Sequence, residues 1–571
     1  MTTTLSAGQW STGHKDADSV DPPAGPNWIR RGGLVLILIV VFAVGSGIVF
    51  HNLGAHHGLY ALTEYDDGVY FGATMHFVAG QLPYRSFVMV QPPAITIILA
   101  PIALLVGPAN PRAGLAIARI LTGTFVGLDA LLIAFILRHK GLTAALVGGM
   151  LFAIYPPGYS SDRTLMLEPY LIFFCLLAVA LAFSSGKLAS DRRLVFAGLA
   201  LGFAGAIKLF AAAIALAFFF VLIWRHRRQL SLVIFGAFIG FVVPCLAFFL
   251  GAPHGFIHDV ISSQFTRTTA IPTPFRTRLT ALVGLNNIAS PQTFSLGRDS
   301  PWPWLGALVL GLTSLAGTFI PALRRKTTTF TWLIFVAAVI AFAMVCIPQQ
   351  FYTHYCVLSD AFFALVVGAA VGSLVSGASA FFRSRATSPR DWSRVVFGSK
   401  ALPIALCGLG LVGFIAASTT VVAIEERFQA GKMDHFGDPG RSLDLSIPAG
   451  SCVISDATIL LIIANRMNFS SSCPVMVDST GTWLAYDAAH PPQRNRNEPR
   501  DPALVALWQH LFSHADYAVF AGKSAFRVPF TPTLSQWFND RFTVVPGAAP
   551  ITYKRRVRLL PNAPATKGIV P

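Results

Sequence analysis

The sequence is short of charge. Only 12% of its 571 residues are Asp, Glu, Lys or Arg, about half the ~25% of an ordinary soluble domain. Acidic residues are the scarcer sign, 26 against 43 basic ones. Cysteine is scarce too, with seven in the chain, which excludes a disulfide-stapled scaffold. No His/Cys cluster has metal-ligand spacing; His56-His57 and the His254/His258 pair are loose matches. The absence of a phosphate-cradling glycine loop and of a Ser/His/Asp set argues against ATP use and hydrolase chemistry. What is abundant is apolar: 54% hydrophobic residues, 46 Phe and a mean hydropathy of +0.60. This excludes a soluble enzyme, a disordered chain and a fibrous protein. It leaves a polytopic α-helical membrane protein.

The net charge of +17 invites a nucleic-acid reading, so its distribution matters. With the spans placed below, the short loops on one face carry a net +14, and the segment after residue 424 only +3. Such a bias is the positive-inside signature of membrane topology. A nucleic-acid footprint would need one basic patch on a folded domain, so no nucleic-acid partner is expected.

Residues 1–32 read as a polar, Pro/Gly-punctuated cytoplasmic tail without a signal-peptide core. Residues 33–424 form the transmembrane domain, starting with the apolar run Leu34–Phe50 behind Arg30-Arg31. Further runs are separated by basic clusters such as Arg138–Lys140, Lys187–Arg193 and Arg225–Arg228. Ala94–Gly107 is too short for a crossing, which needs ~20 residues; it predicts a juxtamembrane helix at the outer surface. Leu194–Trp224 has basic clusters on both flanks and Lys208 in its middle, which predicts two short, glycine-loosened spans turning near Lys208. The expected count is about 11 spans in the plasma (inner) membrane, N-terminus cytoplasmic, with outer loops at residues 51–112 and 251–303.

Residues 425–571 predict an extracytoplasmic α/β domain. Short apolar strands (Cys452–Ser455, Pro474–Val477, Tyr517–Phe520, Phe542–Val545, Ile551–Val557) alternate with helices near Thr458–Met467 and Pro502–Ser513. Cys452 and Cys473 each open a predicted strand. Adjacent parallel strands would bring them within disulfide reach, in an oxidising compartment. Asp456 and Asp478 follow strands, and helix capping is the expected role of both.

The stretch richest in chemistry is Glu64–Pro93. Asp66 and Asp67 sit side by side soon after the first span emerges. Paired, partly desolvated carboxylates raise each other's pKa, which makes a better general base near neutral pH. The plainer alternative is that both cap a helix starting at Gly68. Lys208, alone inside an apolar hairpin, is costly unless paired or functional.

The order of these features resembles the GT-C superfamily of integral-membrane glycosyltransferases. It comprises a first span, an acidic pair, Gly80-Gln-Leu-Pro-Tyr84, Pro92-Pro93 opening a juxtamembrane helix, and Arg119 entering the second span. It is closest in flavour to the protein O-mannosyltransferase and lipid A aminoarabinose transferase group and to actinobacterial polyprenyl-phosphate-dependent transferases. Tyr155–Gly158 with Arg163 and Leu167-Glu168-Pro169, the Gly198–Lys208 stretch and Gln350–Tyr355 extend the resemblance in register. It covers about residues 34–375. The chain departs from the lipid A enzymes in having Gln91 where they have Lys before the Pro-Pro step, and Asp-Asp where they have Asp-Glu.

The resemblance implies a polyprenyl-phosphate sugar donor and a glycan, lipid or protein acceptor whose hydroxyl attacks the anomeric carbon. Mannose and arabinose are the sugars it suggests, for cell-envelope glycan or glycolipid synthesis. It makes Asp66 the base and Asp67 the runner-up that orients the acceptor. Lys208, Arg119, Arg163, His354, Tyr355, Glu168, Gln91 and Arg85 become candidate contacts for donor phosphate or sugar. No cofactor or metal is implied as required, although the acidic pair could take a divalent cation. A flippase for a lipid-linked sugar and a non-catalytic envelope scaffold are the competing readings; no inverted repeat of the kind transporters use is evident.

Overall fold

The structure is a computed structural model that describes residues 27–55, 58–162, 164–224, 226–266, 273–285, 302–323, 328–347, 351–385, 401–436, 438–486, 500–522, 525, 527–548 and 550–556. Residues 1–26 of the expected tail, His56, His57, Arg163, Arg267, Gln350 and the basic stretch 386–400 lie outside them.

Ten helices fill the first half: α1 (Asn27–Gly54), α2 (Asp66–Val78), α3 (Ala94–Val106), α4 (Pro111–Leu137), α5 (Leu142–Ala153), α6 (Pro156–Asp162), α7 (Glu168–Ala182), α8 (Asp191–Ile207), α9 (Ala212–Leu222) and α10 (Arg227–Gly251). Then follow α11 (Phe275–Val283), α12 (Trp302–Leu323), α13 (Thr329–Cys346), α14 (Cys356–Arg385) and α15 (Ala401–Phe436). Helix α1 begins at Asn27, inside the stretch expected to be tail. Among the described residues, six helical stretches are long and apolar enough to cross a membrane: Arg31–Gly54, Pro111–Lys140, Arg227–Gly251, Thr329–Cys346, Thr353–Ser376 and Gly408–Gly431. Shorter apolar helices, among them Leu142–Ala153 and Glu168–Ala182, pack between them.

The two irregular runs take distinct forms. Helix α3 starts directly after Pro92-Pro93 and packs on α2, α4, α8 and α10. The backbone of Val90 just before it and that of Arg112 just after it both bond to residues at the same end of the molecule. Leu194–Trp224 breaks at Lys208, whose extended backbone ends α8. The chain then turns back as α9: Lys208 meets Glu168 at one end of the bundle, while Arg228, after α9, meets Asp191 at the other. The glycines before Lys208 do not loosen this turn. Gly198 of α8 faces Gly236 of α10, Gly202 lies against the backbone of Ala237 and Phe241, and Gly240 lies against that of Leu199, making a small-residue seam. A Cβ on Gly202 would lie 2.0 Å from the Ala237 carbonyl oxygen, and one on Gly236 would lie 2.2 Å from that of Val195. In lipid, where there is no hydrophobic drive between helices, such close backbone approach supplies the packing energy. The glycines thus join α8 to α10.

After α15 come α16 (Pro439–Ser446), α17 (Ile459–Ile463), α18 (Ser479–Tyr486), α19 (Pro502–His514) and α20 (Pro532–Arg541). A tight two-stranded turn, β1 (Phe183–Ser184) with β2 (Lys187–Leu188), joins α7 to α8. The later strands β3 (Val453–Ser455), β4 (Tyr517–Phe520), β5 (Phe542–Val544) and β6 (Ile551–Arg555) form one sheet in the order β3-β4-β6-β5. Only β3 and β4 run parallel, with Val453 opposite Tyr517. An aromatic core of Trp508, Phe512, Phe520, Phe538 and Phe542 fills the space between this sheet and α19 and α20.

Pro474–Val477 is not a strand. Cys452 and Cys473 are nonetheless joined, with Cα atoms 5.4 Å apart, because the chain returns past β3 in a turn instead of a ladder. The helix expected over Thr458–Met467 shrinks to the five residues of α17.

Candidate active site

Helix α2 opens on the acidic pair itself. Its N-cap is Tyr65, which makes no side-chain cap. Neither aspartate caps the helix, and the two carboxylates have different partners.

Asp67 is an anchor. Its carboxylate has no solvent exposure and pairs with the equally buried guanidinium of Arg119. Arg119 Nε donates to Asp67 at 3.1 Å, and the Thr164 hydroxyl donates to Asp67 at 2.6 Å. The remaining Arg119 N–H groups reach the carbonyls of Gly58, Leu59 and Ala61 and the Thr63 hydroxyl, at 2.9–3.0 Å. All five donors of the guanidinium fork therefore have partners within the protein. The phosphate contact expected of Arg119 is corrected: it ties the first loop to α4. Asp67 likewise has no free oxygen with which to orient an acceptor.

Asp66 is different. It is half-buried, and Tyr70, one turn on, donates a hydroxyl to its Oδ2 at 3.2 Å. Burial first, then the negative charges of Asp478 and Glu64, raise its pKa to about 7; Lys208 opposes the shift and Glu168 adds to it. A carboxylate so placed is half-ionised near neutral pH, where a general base works best.

Lys208 and Glu168 form an ion pair, 4% and 2% exposed. The Lys208 ammonium also lies 4.9 Å from the ring centres of both Phe210 and Tyr355. His354 Nε2 is 3.9 Å from Glu168 Oε1, and its ring stacks on Tyr352. Glu168 Oε2 is buried with no hydrogen-bond partner among the described residues. An unsatisfied buried carboxylate oxygen is costly, and this one is an acceptor in waiting at the edge of the Asp66 site.

The other candidates do not converge. Gln91 accepts the Tyr84 hydroxyl through its backbone carbonyl at 2.7 Å. Arg85 is exposed on the turn after Tyr84. Asp478 does cap α18, accepting from the Gly481 N–H at 2.7 Å, whereas Asp456 accepts from Ala521 N–H across the sheet end and caps nothing. Three groups were missed: Tyr65, Tyr70 and Thr164. Tyr70 was within reach of sequence reasoning, since i and i+4 share a helix face. Tyr65 and Thr164 act through partners far away in sequence.

An apolar groove of about 810 Å³ opens between α2, α3, α7, α8 and α10, lined by Phe77, Phe174, Phe196, Phe203, Val243 and Phe248 among others; Asp66, Glu168 and Lys208 do not line it. Phe174 lies on the helix that Glu168 begins, and Phe203 on the helix that ends at Lys208.

The profile of the dolichyl-phosphate-mannose-protein mannosyltransferase family matches residues 107–250, from the end of α3 through α10. Two crystal structures of ArnT from Cupriavidus metallidurans, one bound to undecaprenyl phosphate and one in the apo state, are similar to the chain. Their identities are 15% and 16%, each has a TM-score of 0.54, and they cover 93% and 92% of this chain and 98% of their own. The archaeal oligosaccharyltransferase AglB from Archaeoglobus fulgidus, in complex with an inhibitory peptide and a dolichol-phosphate, is similar at 13% identity. It has a TM-score of 0.50, with 92% of this chain and 75% of that one covered. No curated protein matches in sequence. The chain shares the overall fold of these ArnT and AglB structures.

Proposed function

We propose that the chain is a membrane glycosyltransferase that moves a sugar from a polyprenyl-phosphate donor to an acceptor hydroxyl, with Asp66 as general base. The observation that carries this reading is Asp66 itself. It is a half-buried carboxylate with a pKa near 7, under the charge of a buried lysine–glutamate pair whose helices, α7 and α8, also wall an apolar groove.

The groove suits a prenyl chain, and two of the helices that wall it, α7 and α8, carry Glu168 and Lys208 at their ends. Lys208 balances the charge of the leaving phosphate. Glu168 Oε2 accepts from a sugar hydroxyl, and the His354–Tyr355 rings flank the sugar. Asp66 takes the proton of the acceptor hydroxyl as its oxygen bonds to the anomeric carbon. The bond from that carbon to the phosphate oxygen breaks, and the prenyl phosphate leaves with the electron pair. In this reading the chain crosses the membrane about 11 times (α1, α4, α5, α7–α10 and α12–α15). The N-terminus is cytoplasmic, and α2, α3 and the domain after α15 lie on the outer face of the inner membrane.

The test is sugar transfer in nanodiscs with radiolabelled polyprenyl-phosphate mannose and arabinose and a membrane-lipid acceptor extract. Transfer by the wild type, abolished in Asp66→Asn with donor binding kept, supports the reading. Donor binding without transfer to any acceptor would shift it to a flippase or a scaffold. Neither binding nor transfer would overturn it.

A further inference from the structure

The C-terminal domain does not merely sit above the bundle. Its α17 lies against the first turns of α2 so closely that a Cβ on Gly68 would be 2.1 Å from the Ile459 nitrogen, and one on Gly72 would be 2.7 Å from Thr458 Cγ2. Tyr65, immediately before Asp66, reaches into the same domain. Its hydroxyl donates to Asp478 Oδ1 at 3.0 Å, lies 3.0 Å from Ser479 Oγ and accepts the Thr480 N–H at 3.0 Å. The Arg527 guanidinium stacks 4.3 Å from the centre of the Tyr65 ring. Asp478 is itself held still: it accepts from Gly481 N–H, and a Cβ on Gly481 would strike its Oδ2 at 2.1 Å.

We propose that Asp478, acting through the Tyr65 hydroxyl, is a positioning residue for Asp66, so that the C-terminal domain completes the active site. This rests on the reading of Asp66 as the base. Two independent features support it. The hydrogen bonds fix the residue next to Asp66, and the Asp478 charge acts on Asp66 through space. The Tyr70 hydroxyl, bonded to Asp66, feels the charges of Asp66, Glu168 and Asp478 together, which places the three carboxylates around one space. The charged and titratable groups facing Asp66 are Glu64 on its own loop, Tyr70 on its helix, Glu168 and Lys208 from the bundle, and Asp478 from the C-terminal domain. Of these, Asp478 exerts the largest charge effect on Asp66, and it comes from the farthest point in the sequence.

The experiment compares full-length wild type, Asp478→Asn, Tyr65→Phe and Asp66→Asn in nanodiscs. In Asp478→Asn the acid limb of kcat/KM moves to lower pH by about one unit, the expected scale for removing a nearby like charge. In Tyr65→Phe kcat falls about tenfold with the donor KM unchanged, as for a displaced base. Titration of the Asp66 carboxyl by infrared difference spectroscopy reads the same shift without turnover, with a midpoint near 7 in the wild type and lower in Asp478→Asn. An inactive Asp66→Asn together with unshifted midpoints and wild-type rates in the other two variants overturns this proposal alone. Transfer that survives Asp66→Asn overturns the base reading and this proposal with it.

Discussion

Asp67 and Arg119 form an ion pair closed off from solvent, one residue away from a carboxylate with no cationic hydrogen-bond partner among the described residues. Two adjacent aspartates on one helix thus have separate surroundings: Asp67 joins the first loop to α4, and Asp66 stays outside that pair, bonded to the Tyr70 hydroxyl.

Breaking that pair is expected to be a stability defect. Arg119→Met or Asp67→Asn leaves a buried charge uncompensated, at a cost of about 3–5 kcal/mol. Thermal unfolding in detergent should show both variants melting well below wild type, with Asp66→Asn melting at or above it. A wild-type melting temperature for Arg119→Met would refute the anchoring role.

The pH dependence follows from Asp66. A base must be ionised, so transfer should rise with pH, reaching half its limit near pH 7, as read from a kcat/KM profile. The folded-state pKa is raised, so the folded state holds its proton more tightly than the unfolded one. The stability contribution is present at low pH and lost as pH rises from about 4 to about 7. Asp66→Asn should therefore gain stability relative to wild type above pH 7 and not below pH 4.

Lys208 and Glu168 should be strongly coupled. Each single substitution, Lys208→Met or Glu168→Gln, leaves the other partner buried and poorly satisfied. The double variant should be less destabilised than the sum, by about 1–3 kcal/mol in a double-mutant cycle on unfolding. Additive losses would mean that the two act independently.

The α8–α10 seam should tolerate no bulk. Gly202→Leu has to displace the backbone at Ala237, at a cost of about 1–3 kcal/mol or more. Gly205→Leu, one turn on, meets only the flexible Phe241 ring at 3.4 Å and should cost much less. Comparing monodisperse yield after detergent extraction distinguishes the two.

The hydrophobic runs and basic clusters carried the helical architecture, because lipid forces backbone groups to bond within each segment and so makes helices legible from composition. The break at Lys208 was legible for the same reason: a lone cation cannot be left in the middle of an apolar run. The acidic pair and Lys208 were visible as residues out of place. What the sequence could not assign was which aspartate does what. Asp66 and Asp67 share composition, depth and neighbours along the chain. They differ only because the guanidinium of Arg119 and the hydroxyl of Thr164, far along the chain, converge on one and not the other. The strand expected at Pro474–Val477 failed because apolar alternation cannot tell a ladder strand from an extended segment without a partner to pair with. Tyr65 and Asp478 lie over 400 residues apart, and no local pattern links them. The sequence by itself determined a helical membrane chain with an acidic first loop. Tertiary packing alone decided which carboxylate is neutralised and which is left able to accept a proton, since burial and nearby charge are properties of the folded arrangement.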